Sequence, residues 1–210
     1  MLNNILLTKA KRIVFVAVFM SLAFLGSCAS SPPKQKDNLC AVFDEKNGWY
    51  KDAKKASQKW HIPIATNMAI MHQESRFVAK AKPDRKKYLG FIPGPRKSSA
   101  YGYSQAKKDT WKWYKEKSGH RGADRNDFDD AIDFIAWYNN MSATRLGIPR
   151  HDTYSLYLAY HEGHGGYERR TYKNKAWLLD VARKVNHRAQ QYNAQLQKCE
   201  KRLDSSWWPF

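Results

Sequence analysis

The chain has 210 residues, with 37 Lys and Arg against 19 Asp and Glu, 42 % apolar and 14 % aromatic residues, and 3 cysteines. That apolar and aromatic content excludes an intrinsically disordered chain, and a single continuously apolar stretch excludes a polytopic membrane protein. One domain with a sizeable core is expected, and the formal charge of +18 points to a polyanionic partner: nucleic acid, anionic lipid or acidic wall polymer.

Lys9, Lys11 and Arg12 precede an apolar run from Ile13 to Leu25 that only Ser21 interrupts. A helix of that length rises about 20 Å, short of a hydrocarbon core of about 30 Å, so the pattern predicts a signal segment rather than a span. The run ends in Leu25-Gly26-Ser27-Cys28, which resembles a bacterial lipobox whose cysteine is diacylated and becomes the new N-terminus. Two or more acyl chains anchor stably where one is marginal. Ala29 stands where Asp would mark inner-membrane retention under the common Gram-negative rule, which implies an outer-membrane lipoprotein facing the periplasm. The expected boundaries are a signal peptide over 1–27, lipidated Cys28 and a polar tether over 28–43, a folded domain over 44–200 and a tail over 201–210. Without residues 1–27 the balance is 34 basic to 19 acidic residues. In an envelope compartment that excess suits lipid or wall polymer, and no nucleic-acid partner is expected. Cys40 and Cys199 remain, and an even pair in an oxidising compartment is expected to form a disulfide, the alternative being two free buried thiols.

Beyond the tether the periodicities are helical and no alternating strand stands out, so an all-α domain is predicted, with room for a small β element. The Lys- and Ala-rich residues 49–60 predict a helix. Pro63 suits a first helical turn, and Ile64, Met68 and Met71 at i, i+4, i+7 give the next helix a buried face that leads into His72-Gln73-Glu74-Ser75. Residues 80–99 read as a basic loop containing Pro83, Pro93, Gly94 and Pro95. A short helix is predicted over 109–117. A longer one carries Phe128, Ile132, Ile135 and Asn139 on one face and stops at Gly147-Ile148-Pro149. Asp152 or Thr153 would cap a helix reaching Tyr160. Leu178, Val181, Val185, Ala189, Tyr192 and Leu196 mark the last helix, which returns Cys199 toward Cys40.

Glu74 is a lone carboxylate at the end of an apolar helix, where burial raises a carboxyl pKa and keeps the proton that a general acid needs. Downstream come Tyr101-Gly102-Tyr103-Ser104-Gln105 and Leu158-Ala159-Tyr160-His161-Glu162-Gly163. His161 and His164 are three residues apart just ahead of two glycines, which does not fit the His-Glu-x-x-His geometry of a zinc site, and no metal or other cofactor is expected. Trp111, Trp113 and Tyr114 could stack on sugars, with one of them expected in a groove and the others in the core.

Glu-Ser-x-Phe, Gly-x-x-Gln and Ala-Tyr-x-x-Gly, in this order on successive helical segments over residues 45–190, resemble the soluble lytic transglycosylase family. The resemblance implies a lysozyme-like all-α fold, of the goose-type kind, acting on peptidoglycan glycan strands. It implies Glu74 as the catalytic acid and base, and Ser75, Gly102, Ser104, Gln105, Tyr160 and His161 as substrate contacts. It also implies cleavage between N-acetylmuramic acid and N-acetylglucosamine with closure of a 1,6-anhydro ring. One carboxyl serves both proton transfers there, so the paired carboxylates of ordinary glycosidases are not required. Tyr103-Ser104 and His161-Glu162 stand where the family usually has Leu-Met and Asn-Ala. Two alternatives keep the same fold: a hydrolytic muramidase in which Glu162 holds a water, and a non-catalytic peptidoglycan-binding lipoprotein. The preferred reading of Glu162 is a solvated or paired helix-end carboxylate, with His161, His164 or Arg169 as partner.

Overall fold

The computed structural model describes residues 31–205 apart from Gly90 and Lys97, and of Lys86, Lys87 and Ile92 the backbone only. The expected signal segment, Cys28 and the aromatic tail at Trp207 and Trp208 lie outside these residues. From Pro32 onward the chain forms one compact unit with its own core.

Eight α-helices dominate the described residues: α1 Leu39–Glu45, α2 Trp49–Trp60, α3 Ile64–Ser75, α4 Lys108–Ser118, α5 Phe128–Leu146, α6 Thr153–Glu162, α7 His164–Glu168 and α8 Ala176–Ser205. A 3₁₀ turn, Thr171–Asn174, joins the last two. This is the all-α fold expected from the periodicities. Helix boundaries follow local chemistry. The Asn38 side chain accepts from Ala41 N at the start of α1, and Asp152 accepts from Ser155 N at 3.0 Å at the start of α6. Gly147, at φ 68°, ends α5 in the left-handed region that glycine enters without strain. Pro63 sits immediately before α3.

Helix α2 packs on α5, while α3 and α6 both pack on α8, so the longest helix backs the two that carry the motif residues Glu74 and Tyr160. Met68 and Met71 on α3 are fully buried, as their spacing requires. Trp49 stacks face to face on Phe128 at 3.9 Å, and the Tyr103 ring sits edge-on to both. Asp133 anchors α5 from behind, accepting hydrogen bonds from Tyr114 Oη at 2.7 Å, Trp60 Nε1 at 2.8 Å and Lys59 Nζ at 3.1 Å. A buried carboxylate is tolerated there because every lone-pair direction meets a donor.

Two features depart from the sequence reading. Residues 80–99 contain an antiparallel hairpin, β1 Arg85–Tyr88 and β2 Ile92–Arg96, pairing Tyr88 with Ile92 and Arg85 with Arg96 around an irregularity. None of its described side chains joins the core, which is why the period-2 signal is missing. Pro93 and Pro95 leave β2 short of amide donors, which discourages further strand pairing. The stretch read as a tether is also folded from Pro32 onward. Leu39 N donates to Gln195 Oε1 at 2.7 Å, Gln195 Nε2 donates to Asp37 O at 3.0 Å, Tyr192 Oη donates to Lys36 O, and Arg188 pairs with Asp37. Cys40 and Cys199 are joined as a disulfide, with Cα atoms 6.1 Å apart, and this fastens α1 to α8. The tail residues 201–205 continue α8.

Candidate active site

A cleft of about 360 Å³ opens between α3, the segment after the hairpin, α5 and the C-terminal end of α6. Glu74 lies in it, with Gln105, Lys107, Thr110, Phe134, Tyr138, Tyr160, His161 and Glu162 around it.

The end of α3 sets Glu74. Arg76 (φ 50°) and Phe77 (φ 62°) are consecutive non-glycine residues in the left-handed region, where an L-residue costs about 1 kcal/mol or more. The cost is offset by the Phe77 ring, which is fully buried against Trp49 and His72. The chain thus turns sharply one residue after Ser75 and leaves Glu74 at the lip of the helix, half-buried. Burial pushes its carboxyl up to about 7, against a smaller opposing effect of the hydrogen bond from Tyr157. Tyr160, one turn further along α6, is held by a 2.7 Å bond from its hydroxyl to Ser104 O. Burial and the neighbouring Glu74 charge keep both tyrosines protonated, as donors.

The Gly102–Gln105 turn is built from backbone. Gly102 N donates to Ala81 O and Tyr103 N to Arg125 O at 3.1 Å. Gly102 has φ +77°, and a Cβ there would lie 2.0 Å from Arg125 O. Its place is therefore in the scaffold beneath the cleft rather than on the cleft wall. Gly102→Ala is expected to lower the unfolding free energy by about 2 kcal/mol or more, from backbone strain and an unrelieved clash. Equilibrium urea unfolding measures this, and a loss below about 0.5 kcal/mol would contradict the close approach. Gln105, at φ 50°, has its amide nitrogen committed to Ala81 O and Gly102 O, which leaves its carbonyl oxygen for a ligand.

The other expected contacts divide. His161 is on the cleft wall, with Nδ1 3.1 Å from Glu162 Oε1. Ser75 is buried and its hydroxyl donates to Met71 O at 3.2 Å, a bond within its own helix. Ser104 is fully buried, contributes its carbonyl to Tyr160, and its hydroxyl has no hydrogen-bond partner among the described residues. None of Trp111, Trp113 and Tyr114 lines the cleft. They pack against Phe134, Trp137 and Tyr138, and the cleft aromatics are Phe134 and Tyr138 on α5 and Tyr160 on α6. His164 turns away from His161, stacking on Tyr138 and bonding Ser142 Oγ at 3.0 Å.

Glu162 has a carboxylate only 4 % exposed, gripped by Lys175 Nζ at 2.7 and 2.8 Å, by Thr171 Oγ1 and by His161. Burial alone would raise its pKa, but these hydrogen bonds outweigh it and bring the group down to about 2. The two cleft carboxyls are therefore opposites, burial raising one toward 7 and its hydrogen bonds holding the other well below the usual carboxylate range.

A family model described as a transglycosylase SLT domain matches residues 16–199. The chain belongs to the transglycosylase SLT family. No curated protein and no solved structure matches it. Membership assigns this SLT domain a lytic transglycosylase-type action on peptidoglycan. Sequence reasoning missed two residues that build the SLT cleft. Arg125 ties Ser99 O and Ala106 O together at 2.9 Å each while its carbonyl carries Tyr103 N, and Tyr157 bonds Glu74. Tyr157 could have been found, since it precedes Tyr160 by three residues and so shares its helix face.

Proposed function

We propose that this SLT domain cleaves the β-1,4 bond between N-acetylmuramic acid and N-acetylglucosamine and closes a 1,6-anhydro ring, with Glu74 as acid and then base. The Glu74 carboxylic acid donates its proton to the glycosidic oxygen as the bond to the muramyl C1 breaks. The 2-acetamido carbonyl stabilises the cationic carbon. The Glu74 carboxylate then takes the C6 hydroxyl proton while that oxygen bonds to C1. The proton returns to Glu74, and no water is consumed. The observation that carries this reading is the place of Glu74, a half-buried carboxyl in the cleft beside Gln105, Tyr138 and Tyr160, where burial raises it to about 7, suited to giving and taking a proton near neutrality. A hydrolytic course through Glu162 has less support, because Lys175 and Thr171 occupy the oxygens that would hold the water.

The test is mass spectrometry of muropeptides released from purified sacculi. Products about 18 Da lighter than their hydrolysed counterparts support ring closure. Reducing-end products would replace it with hydrolysis.

Tyr157→Phe removes a bond that lowers the Glu74 pKa, so the group should titrate above about 7. Activity that needs the protonated acid falls as pH rises through that pKa. In the variant the falling limb of kcat/KM should therefore move to higher pH. An unmoved limb would mean that Tyr157 does not act on the essential acid.

We further propose that Cys28 is lipidated and anchors the protein in the envelope, at the outer membrane, on the strength of Leu25-Gly26-Ser27-Cys28 and Ala29. Cys28→Ala should abolish palmitate incorporation and move the protein to the soluble fraction. Retained incorporation would refute the assignment.

A further inference from the structure

The hairpin holds an apolar cluster with no cover. Tyr88, Leu89 and Phe91, at its tip, are 55 %, 82 % and 74 % exposed. Among the described residues they are three of the four large hydrophobic side chains left in solvent. Single exposed apolar residues are ordinary, but three within four positions at the end of a projection are not. Leu89 stands at φ 51°, so the turn carries a branched side chain in a conformation where glycine would be cheaper.

Charge indicates what covers the tip. Residues 80–97 hold seven Lys or Arg and one acid, Asp84. An apolar tip with Tyr and Phe above a cationic stem matches an anionic lipid surface, in which aromatic rings sit at headgroup level and lysine and arginine meet the phosphates. Chain length agrees. With Cys28 lipidated, three residues precede Pro32, and a reach of at most about 14 Å would hold the folded unit against the bilayer.

We infer that the hairpin tip is a second, protein-borne membrane contact, with Tyr88, Leu89 and Phe91 entering the headgroup region of an anionic bilayer and the flanking cations binding its phosphates. This rests on the envelope reading for the presence of a membrane and for the chain-length argument from Cys28, while the exposure and charge of the hairpin stand without it.

The test uses residues 29–210, which contain the whole compact unit and its disulfide and carry no lipid. Cosedimentation is measured with phosphatidylcholine vesicles and with vesicles containing about 30 mol % phosphatidylglycerol. Binding to the anionic vesicles alone is expected, weakening by roughly fivefold for each cation removed. Leu89→Ser with Phe91→Ser should weaken it by at least about tenfold. Leu89→Phe with Phe91→Leu, which keeps the apolar tip, should restore it. Circular dichroism should be unchanged in both, since the residues touch no core. Undiminished binding by the serine variant would overturn the inference and move the contact elsewhere, the tail at Trp207 and Trp208 included. Binding lost on sacculi but not on vesicles would make the tip a wall-polymer contact, and self-association abolished by the serine variant would make it a dimer interface. Because neither Cys28 nor turnover enters this assay, its failure leaves the proposed reaction and anchor standing, and their failure leaves it readable.

Discussion

Glu74→Gln is expected to lower turnover of sacculi by about a thousandfold or more, since one carboxyl is asked to supply both proton transfers and each such group contributes about 10²–10⁴. The swap is nearly isosteric and keeps the Tyr157 hydroxyl within reach of an acceptor, so the cleft should keep its shape. It also carries a stability signature that simple loss of fold would not. The folded carboxyl titrates near 7 against 4.5 in the unfolded chain, so the native state holds a proton that the unfolded state has released between those values. Native stability from this group is complete below about 4.5 and is lost as pH rises through about 7. Allowing for its partial exposure, the loss is of the order of 1–3 kcal/mol. Glutamine does not titrate, so the inactive variant should be more stable than wild type at pH 8 and equal to it near pH 4. Equal stability at both pH values, or retained turnover, would move the essential acid away from Glu74.

Much of this was legible in the chain because the helices bury one face each. Residues 49–60 have the same limits in sequence and structure, since Gly48 and His61 take left-handed conformations on either side of the run. Leu178, Val185, Ala189, Tyr192 and Leu196 repeat on one stripe and are all buried on α8. Glu74 was legible as chemistry because a carboxyl on an apolar helix is conspicuous. What stayed hidden depends on partners far along the chain. The role of Gly102 is decided by the Arg125 carbonyl and that of Glu162 by Lys175, on the segment after the 3₁₀ turn. Neither distance has a local signature. The hairpin was hidden for the opposite reason, because its pairing is local and none of its described side chains joins the core, so hydrophobic patterning carries no trace of it.

Reducing the Cys40–Cys199 disulfide is expected to remove up to about 5 kcal/mol of stability, by the chain-entropy model for a closed loop of this size. The bond spans 159 positions and closes almost the whole folded unit, so the unfolded chain loses freedom on the largest scale available to it. The native state keeps other fastenings between the same segments. Gln195 bonds Leu39 N and Asp37 O, and Arg202 grips Asp44 at 2.7 and 2.9 Å. The reduced protein should therefore remain folded without denaturant but unfold at a much lower urea midpoint, and a Cys40→Ser, Cys199→Ser variant should behave the same way. A loss below about 1 kcal/mol would mean that the unfolded chain is already compact enough to keep these ends together. Activity separates a local from a global effect. Helix α8 backs both α3, which carries Glu74, and α6, which carries Tyr157 and Tyr160. If the disulfide only constrains the unfolded chain, reduced enzyme at low urea should turn over sacculi at the wild-type rate and lose activity along its own unfolding curve. Activity lost well before that curve would show instead that α8 must be pinned at Cys199 for α3 and α6 to hold the cleft.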